Sequence, residues 1–397
     1  MNILYLTNIF SDSVGGSEYV FWIYAKYMAK FNHNVYVICY KIDNESLLRL
    51  KSYLKQIKVF QVAPRITHRG TLLFNAKDNI KYILQAFKKC LQIMKSESID
   101  IVHTNTYIPV FTGGLIKTLT KVPHVITVHD VASVMGLNFL KKWFKEAGKN
   151  AFPLINAFLS CAYEKLILTK VPKNAIITPS RQTKIDVKKM IHDDTKIYIV
   201  PNTIDIEQYK LYNEKIEYQP YILYIGRLIF YKNIWTLIKA FENIYRENNE
   251  AKLIIAGRGP LELKAREYVL KRGLTKKIKI LGFVSQKEKM KLLSKCRALV
   301  NLSLFEGFGL TTLESWFFEK PVIVSNIPPL NEIVTHMKTG LTVDPFDIKK
   351  LSEYLNLILS DKKICLLLGR KGRQELLHRY SPLKVINLLT SIYNLLA

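Results

Sequence analysis

The sequence predicts an α/β protein built from two Rossmann-like, doubly wound domains that face each other across a cleft. Three observations carry that expectation. The chain has 397 residues, more than one hydrophobic core usually holds. Short β-branched runs alternate with longer amphipathic ones from end to end. The short runs are apolar on both faces, as strands are in a parallel sheet covered by helices on each side. About twelve such units suit two open sheets better than one eight-stranded barrel.

In the first half, strands are expected at 2–7, 34–39, 59–63, 100–105, 124–130, 175–180 and 197–202, with helical patterns at 17–31 and 75–96 between them. In the second half they are expected at 221–226, 251–257, 277–283, 298–303 and 321–326. The polar stretch after "VPNTID" (200–205) divides the chain into domains at 1–205 and 206–380. "SPLKVINLLTSIYNLL" (381–396) reads as a last helix opened by Ser381 and Pro382.

Composition excludes several classes. At 49% hydrophobic and 23% charged residues, the chain is globular and not disordered. Its five cysteines are scattered, without a CxxC pair. They suggest buried free thiols in a reducing cytosol, and neither a disulfide framework nor a zinc site. "MNILYLTNIF" enters a strand directly and lacks the marks of a signal peptide. The longest apolar window, "AFPLINAFLSCAY" (151–163), is too short to span a bilayer. A cytoplasmic protein is expected, with peripheral membrane contact as an option. The net charge of +27 is spread over both halves and suits an anionic partner such as a nucleotide or phospholipid, or reflects a lysine-rich background. No nucleic-acid-binding motif is recognisable, and nucleic acid is not expected as a partner.

In doubly wound domains ligands bind beyond the C-terminal ends of the strands, so the informative segments follow strands. After the first comes "NIFSDSVGGSEYV" (8–20). Gly15 and Gly16 precede Ser17, a candidate N-cap, and a helix N-terminus there offers N–H groups to an anion. The pattern is not the GxGxxG dinucleotide fingerprint, and a plain turn and cap is the other reading. The fifth strand ends in "VHD". His129 and Asp130 there meet a ligand, or cap the next loop. "GRLIFYKN" (226–233) sets Arg227 and Lys232 around a turn, where two cations neutralise a diphosphate leaving group without a metal. A solvated basic loop is the alternative. No DxD-like pair of carboxylates suggests Mg²⁺, and neither metal nor cofactor is expected.

The richest stretch is "FEGFGLTTLE" (305–314). A helix starting near Gly309 and Leu310 aims its first N–H groups at a phosphate or sugar oxygen. Gly307 and Gly309 keep that approach free of side chains. Glu306, ahead of the helix, is an acceptor for sugar hydroxyls. Glu314, over a turn into it, suits another pair, as on a ribose. As a glycosidase pair the two are badly spaced. Eight helical residues cover about 12 Å, against roughly 5–9.5 Å for such pairs.

Glu306 and Glu314, followed by "KPVIVSNIPPLNEIV", resemble the signature of retaining glycosyltransferases of the GT-B fold, and most of all family 4 of the nucleotide-sugar enzymes. "VHD", "VPNTID", "GRLIFYKN", "AGRGP" (256–260) and "LGFV" (281–284) occur in that family's order. The resemblance implies a hexosyltransferase moving sugar from a nucleotide diphosphate to a glycan or lipid-linked acceptor. It implies that Arg227 and Lys232 hold the diphosphate and that Glu314 binds the ribose. Glu306, Gly307 and the backbone of Phe308, Gly309, Leu310 and Thr311 would bind the sugar and β-phosphate. Phe283 and Val284 would lie by the base, Gly15 and Gly16 near the diphosphate, and His129 with Asp130 on the acceptor side. Glu306, His129, Arg227 and Lys232 would carry catalysis, by same-face transfer that needs no protein nucleophile. The last helix, 381–397, would pack back on the first domain.

Thr203 stands where the family has glycine, and Trp316, Phe317 and Phe318 stand where it has small residues. That bulk either narrows the back of the donor pocket or repacks a helix. Between 136 and 150, Phe139, Leu140, Trp143, Phe144 and Ala147 recur at helical spacing among lysines. Such a helix suits an anionic membrane interface, or packs on its own domain. The competing functions are an inverting transferase or sugar-nucleotide epimerase of the same fold, and a basic nucleic-acid-binding protein.

Overall fold

The computed structural model describes residues 1–62, 76–105, 107–146, 152–212, 215–245 and 250–397. The chain divides into two compact units. One comprises Met1–Lys145, Lys149–Thr203 and Pro382–Ala397; the other comprises Glu146–Gly148 and Ile204–Ser381.

The first unit is built on seven parallel strands: β1 (Asn2–Leu6), β2 (Asn34–Cys39), β3 (Ile57–Gln61), β4 (Ile101–Asn105), β5 (His124–Thr127), β6 (Ala175–Thr178) and β7 (Lys196–Ile199). Their order in the sheet is β3-β2-β1-β4-β5-β6-β7. The second unit has β8 (Tyr221–Ile225), β9 (Lys252–Ala256), β10 (Ile278–Gly282), β11 (Ala298–Asn301), β12 (Val322–Ser325) and β13 (Leu341–Val343), ordered β10-β9-β8-β11-β12-β13. Each sheet winds one way from its first strand and then returns to wind the other way. That leaves a switch point between β1 and β4 in one sheet and between β8 and β11 in the other. Crossover connections part on either side there and open a crevice at the strand C-termini.

Seven strands expected in the first sheet are present. The sixth strand of the second, β13, escaped the sequence reading because its three residues are too short for a periodicity signal. A two-stranded pair of Ile9–Phe10 with Lys41–Ile42 escaped it for the same reason.

The helices that bear on the site are α1 (Gly16–Lys30), α2 (Ile108–Thr120), α3 (Leu137–Glu146), α4 (Pro153–Lys170), α5 (Ile206–Leu211), α6 (Gln286–Lys295), α7 (Leu310–Phe317), α8 (Lys362–Arg379) and α9 (Pro382–Leu396). In the second unit, Leu253, Ile255, Val300 and Ile323 of the strands pack with Leu237, Phe241 and Leu355 of covering helices. In the first unit, two cores lie on the sheet, one around Leu4, Tyr82 and Val102 and one around Ile126, Ile167 and Ile176.

Helix α9 belongs to the first unit. Tyr393 is fully buried; its hydroxyl hydrogen-bonds His103 Nδ1 on β4 and donates to the Tyr5 hydroxyl at 3.3 Å. His103 Nε2 in turn meets Thr127 Oγ1 at 2.6 Å. A buried polar network satisfied on each side specifies one docking position for the helix.

The bulk of Trp316 is accommodated by glycine on α8. A Cβ added to Gly372 would lie 2.2 Å from the indole, and one on Gly369 would lie 1.7 Å from the Glu319 carbonyl oxygen. The helix is repacked there, with Trp316 turned to α8 and its Nε1 donating to the Thr339 carbonyl at 3.0 Å.

Candidate active site

In the second unit the candidate residues gather at the switch point. Gly226 and Arg227 follow β8, and Glu306 lies in the loop after β11. "AGRGP", after β9, supports that loop from below. Gly257 has φ +146°, and a Cβ on it would meet the Gly226 carbonyl oxygen at 1.8 Å; one on Gly259 would meet the Leu228 carbonyl oxygen at 2.3 Å. Only glycine permits two loops to approach so closely. The Leu228 N–H donates to the Arg258 carbonyl at 2.8 Å and fastens them.

Lys232, in a short turn at Phe230–Lys232, forms an ion pair with Glu306, 74 residues away. Both side chains are largely buried, at 16% and 14% exposure. Each neutralises the other where an isolated charge would be costly. Arg227 Nη2 donates to the Tyr231 hydroxyl at 2.6 Å, and the Leu304 N–H donates to the Tyr231 carbonyl at 2.7 Å. Tyr231 therefore ties both cations' loop to the loop that carries Glu306. Sequence reasoning passed over this residue; its place between Arg227 and Lys232 was the available signal.

Helix α7 begins at Leu310 with Gly309 as its N-cap at φ +101°, a left-handed conformation that favours glycine. The Phe308 side chain is buried edge-on to Tyr380, so only its backbone is presented beside Gly307. Leu310 and Thr311 open the helix and are partly exposed. Glu314 is 4% exposed. Its Oε1 accepts from the Tyr209 hydroxyl at 2.6 Å and from Lys289 Nζ at 2.7 Å, and its Oε2 is buried without a partner among the described residues. Phe283 stands apart from this cluster. It is 67% exposed past the end of edge strand β10, with the Arg258 guanidinium 6.0 Å over its ring and Val284 next to it.

In the first unit, α1 starts at Gly16 and its N-cap is Gly15, with no side-chain cap. The expected cap, Ser17, instead donates its hydroxyl to Glu18 Oε2 at 2.6 Å. A Cβ on Gly15 would meet that same carboxylate oxygen at 2.5 Å, so a second side chain there would displace it. His129, half-buried after β5, is joined by its Nε2 to Asn105 Oδ1 at 2.9 Å. The Asn105 amide also donates to Thr7 Oγ1 at 3.3 Å and to the Ser17 carbonyl at 3.4 Å. Asn105 thus ties together the ends of β1 and β4 and the start of α1, and it too was passed over. Burial pushes the His129 imidazole down to about 4. At neutral pH the ring is uncharged; its Nε2–H is given to Asn105, and Nδ1 is left as an acceptor. Asp130 lines a small recess with Tyr107, Val131 and Glu164.

Among the described residues, no three His, Cys, Asp or Glu side chains gather as metal ligands. What the second unit offers beyond the ends of β8 and β11 is two cations, the Glu306 carboxylate and a helix N-terminus, with Glu314 a turn into that helix, an arrangement suited to a phosphorylated sugar.

Comparison with known proteins defines the class. Residues 14–208 match the family described as Glycosyltransferase Family 4, and residues 205–375 match Glycosyl transferases group 1. The chain belongs to these nucleotide-sugar glycosyltransferases and is an enzyme of the hexosyltransferase class. It is 24% identical over 356 residues to an uncharacterised glycosyltransferase of Methanocaldococcus jannaschii, covering 85% of each chain. It is 25% identical over 333 residues, 79% of each chain, to the UDP-Gal:alpha-D-GlcNAc-diphosphoundecaprenol alpha-1,3-galactosyltransferase of Escherichia coli. Among solved structures it resembles Anabaena HepE in complex with UDP, with a TM-score of 0.71 at 16% identity over 99% of this chain and 100% of that one. The fold is that of the GT-B glycosyltransferases.

Proposed function

We propose that this enzyme transfers a sugar from a nucleoside diphosphate to a hydroxyl of a glycan or lipid-linked acceptor, with retention of configuration and without a metal ion. The observation that carries the reading is the Lys232–Glu306 ion pair beside Arg227 and the N-terminus of α7. On donor binding the diphosphate takes Lys232, and Glu306 is released to accept from sugar hydroxyls. Arg227, Lys232 and the N–H groups of Leu310 and Thr311 then stabilise the negative charge that grows on the leaving phosphate. In same-face transfer the C1–O bond to phosphate breaks as the acceptor oxygen bonds to C1, and a phosphate oxygen takes the acceptor proton. Glu314 receives ribose hydroxyls, and Phe283 and Val284 flank the base. Gly15 and Gly16 contribute a side-chain-free approach for the diphosphate, and His129 and Asp130 serve the acceptor side. The galactosyltransferase relative, whose acceptor is a diphosphoundecaprenol sugar, supports a lipid-linked acceptor.

We further read the enzyme as cytoplasmic and attached peripherally to anionic lipid. No described helix is long and apolar enough to cross a membrane. Support for surface attachment comes from α3 and α4, whose exposed faces carry lysines and large apolar side chains.

Thermal denaturation with UDP, GDP, ADP and their sugar conjugates, with and without EDTA, tests the donor reading. One diphosphate should stabilise the protein by about 2.7 kcal/mol at a hundredfold excess over Kd, undiminished by EDTA. Stabilisation abolished by EDTA would overturn metal independence, and none with any nucleotide would overturn the donor site. The anomeric coupling of the product, read by NMR, should match the donor's; the opposite anomer would exclude retention.

A further inference from the structure

The Glu314 carboxylate is held by groups from two other parts of the unit. Tyr209 comes from α5, a helix capped by Asp205, whose carboxylate accepts from the Gln208 N–H at 3.4 Å. Lys289 comes from α6, which opens with a reciprocal capping box between Ser285 and Glu288. Both donate to the same oxygen, Oε1, at 2.6 and 2.7 Å. The other oxygen, Oε2, is buried and has no partner among the described residues. A carboxylate accepts through both oxygens, and a buried acceptor left empty is costly. The asymmetry leaves one oxygen saturated by protein and one for a ligand.

The Tyr209 ring is itself fixed in place. It is 1% exposed, edge-on to Phe317 at 5.3 Å and tilted against Phe318 at 6.4 Å. Phe317 is in turn covered by the Arg373 guanidinium at 5.2 Å, and Arg373 Nη1 donates to the Phe317 carbonyl at 2.6 Å. Phe317 and Phe318 are the bulky residues that depart from the family pattern. They form the wall behind Tyr209.

We infer that Tyr209 and Lys289 are positioning residues for donor recognition. Seated on Phe317 and Phe318, Tyr209 joins Lys289 in locking one oxygen of Glu314, so that Oε2 is presented to the vicinal hydroxyls of the nucleotide ribose. The inference rests on the proposed role of Glu314 as the ribose acceptor. It goes beyond that role in assigning the discrimination to the pair behind the carboxylate.

The test compares binding of UDP, GDP and ADP with that of their 2′,3′-dideoxy counterparts, by titration calorimetry. The proteins compared are the unaltered enzyme and the Tyr209→Phe, Lys289→Met and Glu314→Gln variants. Tyr209→Phe keeps the buried ring, and circular dichroism and melting establish that each variant is folded. The unaltered enzyme should prefer the ribose form of its nucleotide by about tenfold. That preference should collapse in Glu314→Gln and fall severalfold in Tyr209→Phe and Lys289→Met. A purely structural role would weaken both nucleotide forms equally, and an unchanged ratio in folded Tyr209→Phe and Lys289→Met would overturn the inference while leaving Glu314 in place. No preference in the unaltered enzyme, or none lost in Glu314→Gln, would overturn the ribose role itself, and the inference with it.

Discussion

Lys232 and Glu306 illustrate how much of the proposed chemistry rests on a single contact. Each is mostly shielded from water, and removing either leaves the other as a poorly compensated charge. If Lys232 both balances Glu306 and grips the diphosphate, Lys232→Ala should lower kcat/KM for the nucleotide sugar by about 10²–10³, the scale for loss of one preorganised electrostatic donor. Steady-state kinetics on the folded variant would check this. Transfer unimpaired in Lys232→Ala would remove the residue from the proposed mechanism. Arg227 and Lys232 were legible because two cations after a strand are conspicuous in the sequence. Tyr231, Asn105, Tyr209 and Lys289 were not, because a tyrosine, an asparagine or a surface lysine is a common residue until its partner is known.

At the scale of elements, α3 and α4 combine lysines with large apolar side chains on their exposed faces. The sequence pattern placed a basic amphipathic helix at 136–150. The structure has α3 over Leu137–Glu146, with Leu140 buried and Lys141, Lys142 and Lys145 exposed; Ala147 and Lys149 lie outside the described residues. Beside it in sequence, Phe152, Leu154, Ile155 and Phe158 at the start of α4 are each 52–63% exposed. Ile155, Phe158, Ala162 and Leu166 recur on one helical face, with Lys165 alongside. An exposed run of large apolar side chains flanked by cations matches an anionic bilayer surface in both its chemistries. Vesicles with phosphatidylglycerol should therefore carry the protein upward in a flotation gradient, and a folded Ile155→Glu/Phe158→Glu double variant should float severalfold less. Absence of the unaltered protein from the floating fraction would exclude the membrane reading. The α4 face went unnoticed in sequence because a run of thirteen largely apolar residues is as expected of a buried helix as of an exposed one.

For the whole molecule, shielded histidines contribute to the response to acid. Burial holds His124 and His129 at about 4 and His103 well below its ordinary value. All three are neutral in the folded protein at pH 7, whereas in the unfolded chain they take up protons below about 6.5. The unfolded state thus binds more protons between about 6.5 and 4, and stability falls as the pH drops through that window. For fully buried His124 the loss amounts to about 3 kcal/mol once the window is crossed. Urea midpoints measured from pH 8 to 4.5 should decline below about 6.5, and a flat profile would contradict the burial of these rings. His129 keeps its uncharged form over the same range above about 4.

Several features were determined by the sequence alone, because each depends on neighbours in the chain. The alternation of strands and helices follows from apolar periodicity. The start of α7 near Gly309 and Leu310 follows from the glycine pattern of "FEGFGLTTLE". Tertiary structure decided the rest, because those features join residues far apart in sequence. Lys232 finds Glu306 across 74 residues, Tyr209 finds Glu314 across 105, and Tyr393 finds His103 across 290. That Trp316 repacks a helix is likewise visible only in its contact with Gly372 on α8. Local patterns dictate which elements form, but a side chain's partner depends on how the sheet orders its strands, and that order is written in no short stretch of the chain.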